Sequence, residues 1–383
     1  MKGFSRSFDR RGAPLHAAAH SHHPWPDASF AAQQAAWEDA AQLLDRKWNR
    51  VFSEVIPAAQ RHIARALRLP DPATIAFGPN THSFVARILS CFPPDRPIRV
   101  LTTSSEFHSF SRQLARLEED GLVQATRIAT EPFDSFEARL TEAANAGGHD
   151  LVFFSQVFFD SGIRVRDLAS IVAAVPKRDT FVVIDGYHGF MAVPTNLNAI
   201  AERAFYLAGG YKYAMAGEGA CFLHCPPHYG PRPRDTGWYA GFSALEQSGG
   251  GVPYAEDGSR FLGATFDLSG LYRFNAVQDW LQHEGWTTAK MLAHVRVIER
   301  AFLTALEHLP APIRPSDLLV PDEAQRGRFL AFRTEDASAI TAALAAQNII
   351  VDYRGDRLRV GFGIYHNKDN AIQLARALTS VRG

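Results

Sequence analysis

One lysine of this sequence stands where an amine could do chemistry. Lys212 follows an apolar, strand-like run and two glycines in "FYLAGGYKYAMAGEG" (205–219), between Tyr211 and Tyr213. The glycines would let another molecule approach closely, and burial lowers the pKa of an amine enough for it to attack a carbonyl group. Of the six lysines in the chain, only Lys212 has this position. A solvated surface lysine after a strand is the plainer alternative.

A carboxylate also follows an apolar run. Asp185 closes "FVVID" and is followed by Tyr187 and His188. Alone, such an aspartate is typical of a helix cap or a structural ion pair, because a buried carboxylate needs partners of this kind. Together with Lys212, it predicts a site for pyridoxal 5'-phosphate, in which an aspartate keeps the pyridine nitrogen protonated and a lysine forms the imine.

Two further strand ends carry residues that suit this cofactor. "GPNTHS" follows the run "TIAF" and could bind the phosphate through backbone donors at a helix start, near Asn80, Thr81 and His82. This signal is weak by itself because helix caps of this type are common. After "RVLTT" come Phe107 and His108, and either planar side chain could stack on the ring.

The elements that would position these residues alternate along the chain. Continuous apolar runs such as "LVFFSQVFF" and "FVVID" indicate strands buried on both faces, and segments 107–120, 133–145 and 165–174 indicate helices between them. This alternation predicts an α/β fold with a mostly parallel sheet covered on both sides. Ligands bind at the carboxyl ends of the strands in such sheets, where the polar clusters would meet.

The two ends of the chain differ from its middle. Helical segments and the strand-like "RFLAFR" and "RLRVGFG" near the carboxyl end predict a smaller α+β domain. We expect an N-terminal segment over 1–30 that contributes to the active site and the small domain. A large cofactor-binding domain over 31–265 and a small C-terminal domain over 266–383 would follow.

The composition argues against several classes of function. Lysine plus arginine and aspartate plus glutamate are both 40, so the formal net charge is zero and no nucleic-acid partner is expected. The apolar runs are far shorter than a membrane span. Three cysteines are too few for a disulfide framework, and Cys221 and Cys225 are more typical of buried thiols than of a metal site. These features predict a cytoplasmic protein without a metal.

The motifs resemble those of the class V aminotransferase group of fold-type I pyridoxal-phosphate enzymes, which includes kynureninases and cysteine desulfurases. The resemblance runs from about residue 15 to 378 and implies a mostly parallel seven-stranded sheet between helices. "IDGYHGF" is similar to the family segment that places an aspartate, here Asp185, at the pyridine nitrogen and a histidine, here His188, beside the ring hydroxyl. "GYKY" is similar to the kynureninase lysine motif, which implies that Lys212 forms the Schiff base and that Tyr211 lies at the cofactor.

Other segments of the resemblance concern the substrate and a second subunit. "RFLGATF" and "GWYAGF" imply that Thr265 and Trp238 reach the cofactor of a partner subunit, so a homodimer with shared active sites is expected. "DYRGDRLRVGFGIYHN" resembles the stretch whose arginine, here Arg359, binds the α-carboxylate of an amino-acid substrate. In "SEFHSF", alignment on the glutamate favours His108 as the stacking residue, and the kynureninase pattern favours Phe107.

The sequence departs from the family in two segments. Residues 345–358 lack the cysteine with which desulfurases attack sulfur, which argues against that activity. The N-terminal "AAHSHHP" keeps Ser21 of the kynureninase pattern but has His20 and His22 at positions that differ from it. We expect Ser21, His20 and His22 on the substrate side of the cavity, with a substrate different from that of kynureninases.

The resemblance leaves two reactions open, and Lys212 would remove the α-proton of an amino acid in both. The commonest activity of the group favours an aminotransferase, which is the prediction. The tyrosines around Lys212 and the match at Trp238 favour the alternative, a kynureninase-like hydrolase or β-lyase that cleaves a bond at the β-carbon. A non-catalytic scaffold is less expected, because the chain retains both Lys212 and Arg359.

Overall fold

The structure is a computed structural model that describes residues 3–244 and 251–381. Its strands are β1 (Leu15–His16), β2 (Ile75–Gly78), β3 (Ile98–Thr103), β4 (Val123–Ile128), β5 (Leu151–Ser155), β6 (Phe181–Asp185), β7 (Ala204–Gly209), β8 (Cys221–His224), β9 (Leu330–Arg333), β10 (Ile349–Ile350), β11 (Asp352–Arg354) and β12 (Arg357–Val360).

The α-helices are α1 (Ser5–Phe8), α2 (Ala28–Leu43), α3 (Lys47–Arg50), α4 (Ile56–Leu67), α5 (Thr81–Ser90), α6 (His108–Glu119), α7 (Phe136–Ala146), α8 (Leu168–Ala174), α9 (Ser269–His283), α10 (Thr288–Glu307), α11 (Ala337–Ala346) and α12 (Lys368–Leu378). The helices predicted over 107–120, 133–145 and 165–174 correspond to α6, α7 and α8. The last begins later than predicted because the Asp167 side chain accepts a hydrogen bond of 2.9 Å from the amide of Ser170 and caps the helix there.

The central element is a seven-stranded sheet in the order β2-β8-β7-β6-β5-β3-β4. Strand β8 runs antiparallel to both of its neighbours, and the other strands pair in parallel with one another. The predicted mostly parallel seven-stranded sheet is therefore confirmed. Because β2 and β7 both run opposite to β8, the carboxyl ends of β2, β3, β5, β6 and β7 lie at one edge.

The sheet is covered on both faces, as the continuous apolar strands predicted. Alternate side chains of a strand point to opposite faces, and in β5 they enter two different cores. Val152 and Phe154 pack in the larger core, whereas Leu151 and Phe153 pack in a second core on the other face. Strand β5 is thus buried along its whole length, which explains its unbroken apolar sequence.

A third hydrophobic core lies in the C-terminal part of the chain. The antiparallel sheet β11-β12-β9 packs there with α10, α11 and α12. Strand β1 pairs in parallel with β10, so the N-terminal segment is attached to this part of the molecule. Leu271 and Phe274 of α9 still belong to the large core, and Val295 of α10 belongs to the C-terminal one. The domain boundaries expected at 30 and 265 stay a prediction.

Within the described residues, no helix combines the length and the apolarity that a membrane crossing requires.

Candidate active site

The polar clusters after the strands meet in one cavity. It has a volume of about 200 Å³ and lies at the sheet edge where the parallel strands end. Its lining consists of Asn80, Thr81, Phe107, Ser109, Ser155, Phe159, Asp185, Tyr187, His188, Tyr211 and Lys212. The structure therefore brings together most of the residues expected at the cofactor.

Lys212 lines this cavity and is buried. Its Nζ atom shares a hydrogen bond of 2.9 Å with Nε2 of His188 and donates one of 3.2 Å to the carbonyl oxygen of His20. The same atom lies 5.4 Å from the ring centroid of Tyr211. Burial, and then the positive charge of Arg359, lower the pKa of Lys212 from 10.5 to about 7. The amine is therefore partly neutral at neutral pH, as a nucleophile or a general base requires.

The two glycines before Lys212 lie where the protein's own atoms leave no room for a side chain. A Cβ atom on Gly209 would lie 2.3 Å from the hydroxyl of Tyr187 and 2.7 Å from Sγ of Cys221. A Cβ atom on Gly210 would lie 2.9 Å from Cβ of Ala220. Side chains are excluded at both positions by the protein's own atoms, and the expected close approach of another molecule stays a prediction.

Asp185 ends β6 and lines the cavity with its carboxylate. Its Oδ1 atom accepts a hydrogen bond of 2.8 Å from the amide of Tyr187, and burial raises the pKa of Asp185 to about 6. Among the residues that the structure describes, Asp185 forms no ion pair. The structural ion pair considered as an alternative is therefore not formed, and the carboxylate is available to a cationic group in the cavity.

A helix start borders the opposite part of the cavity. Asn80 caps α5, because its Oδ1 atom accepts a hydrogen bond of 2.9 Å from the amide of Ser83, and Thr81 is buried in the first turn. Unpaired amides and the helix dipole make such a start favourable for anions. His82 points outward, is exposed, and does not line the cavity.

Of the two aromatic residues after β3, Phe107 lines the cavity. Its ring packs edge-on against Phe159 at a centroid distance of 5.3 Å, and Nζ of Lys212 lies 5.9 Å from its centroid. His108, the first residue of α6, is exposed and lies outside the lining. The geometry therefore favours Phe107 over His108 as the residue that stacks on a bound ring.

Glu106 is a buried acid behind this cavity that the sequence reasoning did not select. It accepts hydrogen bonds from the hydroxyl of Thr103 at 2.7 Å and from the hydroxyl of Ser155 at 2.6 Å. Burial raises the pKa of Glu106 to about 8. Its position directly after the run "RVLTTSS" was visible in the sequence, but its partner on β5 was not.

Arg359, the expected carboxylate site, lies on β12 and is almost fully buried. Its Nε atom donates a hydrogen bond of 2.9 Å to Oδ1 of Asp352, its Nη2 atom donates to Oδ2 of Asp352, and its Nη1 atom donates to the carbonyl of Phe159. Arg359 does not itself line the cavity. Arg359 instead bonds the carbonyl of Phe159, and Phe159 does line the cavity.

The N-terminal segment reaches Lys212 through its backbone. The carbonyl of His20 accepts a hydrogen bond from Lys212, whereas the His20 side chain is buried, shares a hydrogen bond of 2.8 Å with Asp352 and stacks on Phe329. Ser21 is partly buried, and His22 is exposed with its ring 5.1 Å from that of Tyr211. The structure thus brings the His20 backbone to the site but leaves the three side chains outside the cavity lining.

Trp238 and Thr265 lie together, away from Lys212. Nε1 of Trp238 donates a hydrogen bond of 3.2 Å to Oγ1 of Thr265, and both residues are exposed. Thr265 lines a surface depression with Trp37 and Trp48. Their expected contact with a partner subunit's cofactor stays a prediction, because one chain is described.

His224 lies between Cys221 and Cys225, and its ring is bound within the protein. Both ring nitrogens of His224 have protein partners at 2.8 Å, the hydroxyl of Thr74 and the carbonyl of Ala201. Over residues 3–244 and 251–381, no group of three histidine, cysteine, aspartate or glutamate side chains is placed to hold a metal ion.

Comparison with solved structures identifies the fold. The complex between the cystine C-S lyase C-DES and its reaction product cysteine persulfide matches 96% of this chain over 98% of its own, with a TM-score of 0.80 and 17% identity. A mutant of C-DES with glycine covalently linked to the PLP cofactor matches over 99% of both chains, with a TM-score of 0.80 and 17% identity. The cysteine desulfurase CsdA from Escherichia coli matches 98% of this chain over 96% of its own, with a TM-score of 0.78 and 15% identity.

The chain has the class V fold of the pyridoxal-phosphate enzymes. In addition, residues 298–378 match the family model of the kynureninase C-terminal domain. No curated protein matches the sequence. The resemblance to the class V group noted in the motifs is confirmed by the fold and by this C-terminal match.

Proposed function

We propose that the protein is a pyridoxal 5'-phosphate-dependent enzyme that acts on an amino acid, with Lys212 as the residue that bonds the cofactor. The observation that carries this proposal is the Lys212 amine, which is buried at a cavity with a pKa of about 7 and shares that cavity with Asp185. Lys212 would bond this cofactor, and Asp185 would pair with its pyridine nitrogen. The class V fold supports the same assignment.

The residues around the cavity fit the cofactor. The start of α5 at Asn80 and Thr81 would bind the phosphate, Asp185 would pair with the pyridine nitrogen, His188 would lie near the ring hydroxyl, and Phe107 would cover one ring face. When bound, pyridoxal phosphate withdraws electrons from the α-carbon of an attached amino acid. That withdrawal depends on a protonated ring nitrogen, which the anionic form of Asp185 would stabilise.

Lys212 would move the proton at the α-carbon. Its Nζ atom shares a hydrogen bond of 2.9 Å with Nε2 of His188. Burial and then the charge of Lys212 keep the pKa of His188 well below its usual range. The neutral imidazole therefore orients the amine without competing for its proton. The carbonyl of His20 fixes the amine from a second direction.

Of the two reactions left open by the sequence, we favour cleavage of a bond at the substrate β-carbon over transamination. The match of residues 298–378 to the kynureninase C-terminal domain and the fold shared with a cystine C-S lyase support this choice. Transamination, which the commonest activity of the class V group favoured, has no comparable support.

A desulfurase reaction is disfavoured by the positions of the cysteines. Cys91, Cys221 and Cys225 lie outside the cavity lining, and burial raises the pKa of Cys221 to about 11 and that of Cys225 to about 12. Each thiol is therefore protonated at neutral pH, whereas the thiolate is the attacking species. A leaving group would accordingly be released into solution instead of being transferred to a protein thiol.

We also propose a homodimer in which Trp238 and Thr265 complete the partner's phosphate site. Exposed aromatic residues support a second copy at this surface, since Trp37 is 72% exposed and Phe242 is 48% exposed. Analytical ultracentrifugation is expected to show a dimer that retains the cofactor. A monomer with full cofactor content would refute the shared site.

Product analysis tests the reaction. Protein supplied with pyridoxal phosphate is incubated with L-kynurenine and, separately, with L-cystine, and the small molecules are identified by mass spectrometry. Alanine or pyruvate without pyridoxamine phosphate is the expected result, and stoichiometric pyridoxamine phosphate would instead establish transamination. Lys212→Ala should abolish turnover, whereas the matched control Lys290→Ala should retain it, because Lys290 is exposed and bonds the carbonyl of Gly285.

A further inference from the structure

The arginine proposed as the substrate carboxylate site already holds a carboxylate of its own chain. Nε and Nη2 of Arg359 form two parallel hydrogen bonds with the oxygens of Asp352, and Nη1 donates to the carbonyl of Phe159. A guanidinium binds a carboxylate best through two parallel bonds of this kind. The edge of Arg359 that would suit a ligand is therefore occupied in the structure.

This ion pair balances the charge of Arg359 within the protein. Burial lowers the pKa of His20 to about 4, so His20 carries no charge at neutral pH. Burial alone would raise the pKa of Asp352, but its neighbours outweigh that effect and hold its pKa far below the usual range. His20 and then the charge and hydrogen bonds of Arg359 lower the pKa of Asp352 and keep it ionised. An approaching anion therefore meets an arginine, Arg359, whose charge is already balanced by Asp352.

Two other groups could bind the Asp352 carboxylate if it moved away from Arg359. Its Oδ1 atom is 2.8 Å from Nε2 of His20, and its Oδ2 atom is 3.8 Å from Nη1 of Arg354. Arg354 lies on the same strand, β11, and its side chain is 43% exposed. A small movement toward Arg354 would preserve the hydrogen bond to His20 and an ion pair.

We propose that Asp352 is a specificity-determining residue that occupies Arg359 as an internal carboxylate, and that the substrate's carboxylate must exchange with it. This proposal rests on the proposed function, because it concerns the substrate of the same site. Ligands that present a carboxylate with two oxygens can replace both hydrogen bonds of Asp352. Anions that offer one acceptor oxygen and neutral amides cannot replace both hydrogen bonds, so the site does not bind them.

The first experiment measures formate binding to the protein by NMR with isotope-labelled formate, with formamide as the uncharged control. In Asp352→Asn, one competing charge is removed and the edge of Arg359 is opened, so formate should bind at least about tenfold more tightly than to the wild type. Asp356→Asn is the matched control, because Asp356 lies on the same hairpin and its side chain is 54% exposed. Its formate affinity should not change.

The gain in affinity must depend on Arg359. Adding Arg359→Gln to Asp352→Asn should therefore abolish it. Formate binding that is unchanged or weaker in Asp352→Asn would overturn the proposal, as would a gain that survives Arg359→Gln. Should Asp352→Asn fail to fold, Arg354→Gln decides instead: removal of this exposed arginine should weaken formate binding in the otherwise native protein, and an unchanged affinity would overturn the proposal.

The second experiment uses the pH midpoint for acylation of Lys212 by a trace reagent, read by mass spectrometry. The charged and titratable groups facing Lys212 include Arg359, Asp352, Asp185, Arg354, His188, His20, Tyr187 and Tyr211. Because the negative charge of Asp352 raises the pKa of Lys212, Asp352→Asn should lower the midpoint. Formate should restore it by replacing the lost charge, and formamide should not; a midpoint that formate leaves unchanged would overturn the proposal.

Neither experiment requires the cofactor. Covalent attachment of pyridoxal phosphate to wild-type Lys212 is scored separately. If the cofactor attaches and the affinity for formate does not increase in Asp352→Asn, the proposed role of Asp352 fails while the proposed function stands. If no cofactor attaches, the proposed function fails whatever formate does.

Discussion

The amine of Lys212 and the imidazole of His188 form a hydrogen bond of 2.9 Å between the ends of two neighbouring strands. Lys212 follows β7 and His188 follows β6, and these strands pair in parallel. Residues 24 positions apart are thereby brought into one hydrogen bond. The adjacency of the two strands is what makes the amine a positioned group instead of a surface charge.

The Lys212 amine should titrate near neutrality. Burial lowers the pKa of Lys212 from 10.5 to about 7, so attachment of pyridoxal phosphate to this amine should accelerate as the pH rises through 7 and then level off. Stopped-flow absorbance at a series of pH values gives the midpoint. A midpoint near that of an ordinary lysine would mean that the amine is not buried as described.

Glu106 should make stability depend on pH. Burial raises its pKa from 4.5 to about 8, so the folded protein binds a proton that the unfolded chain has lost. This contribution is fully present below pH 4.5 and is lost as the pH rises through 8. Relative to Glu106→Gln, the wild type should lose at most roughly 3–4 kcal/mol of unfolding free energy between about pH 5 and pH 8.

Denaturant titration at both pH values measures this difference. Glu119→Gln is the matched control, because Glu119 is exposed on α6 and pairs with Arg116. It should show no comparable dependence. A pH-independent difference between the wild type and Glu106→Gln would mean that Glu106 is ionised in the fold.

The cap of α5 should matter to the cofactor as well as to the helix. Asn80 and Asn367 both cap a helix through a side-chain oxygen, but only Asn80 lines the cavity. Replacing either with alanine should cost about 1 kcal/mol of stability. Only Asn80→Ala should also weaken the affinity for pyridoxal phosphate, measured by equilibrium dialysis. Equal losses of cofactor in both variants would place the phosphate elsewhere.

Substitutions of Phe107 and His108 should differ in their effect on the affinity for the cofactor. Phe107 lines the cavity and His108 does not, so Phe107→Ala should weaken cofactor binding several-fold while His108→Ala leaves it near the wild-type value. Fluorescence titration of the cofactor gives both constants. The reverse order would assign the stacking role to His108.

Much of the site could be predicted because its residues directly follow apolar strands. The order "strand, then polar residue" identified Asp185, Lys212 and Asn80 without any knowledge of which strands are neighbours, and it placed Phe107 and His108 together after β3. It could not decide between Phe107 and His108, since the turn after β3 determines which side chain faces inward.

Features that depend on long-range pairing were not predictable. The bond between Asp352 and Arg359 crosses a hairpin, and the second partner of Asp352, His20, is separated from it by 332 positions. Likewise, Glu106 accepts a buried hydrogen bond from Ser155, which lies on another strand. A sequence pattern reports the local environment of a residue, and these contacts are set by the assembled sheets.

Covalent attachment of pyridoxal phosphate tests the central claim most directly. The wild-type protein is loaded with the cofactor, reduced with borohydride, digested and mapped by mass spectrometry. We expect a single modified lysine, Lys212, and no modification at that peptide in Lys212→Ala, with the exposed Lys290 unmodified throughout. A protein that binds no cofactor, or that carries the borohydride-fixed cofactor on another lysine, would contradict the assignment of Lys212.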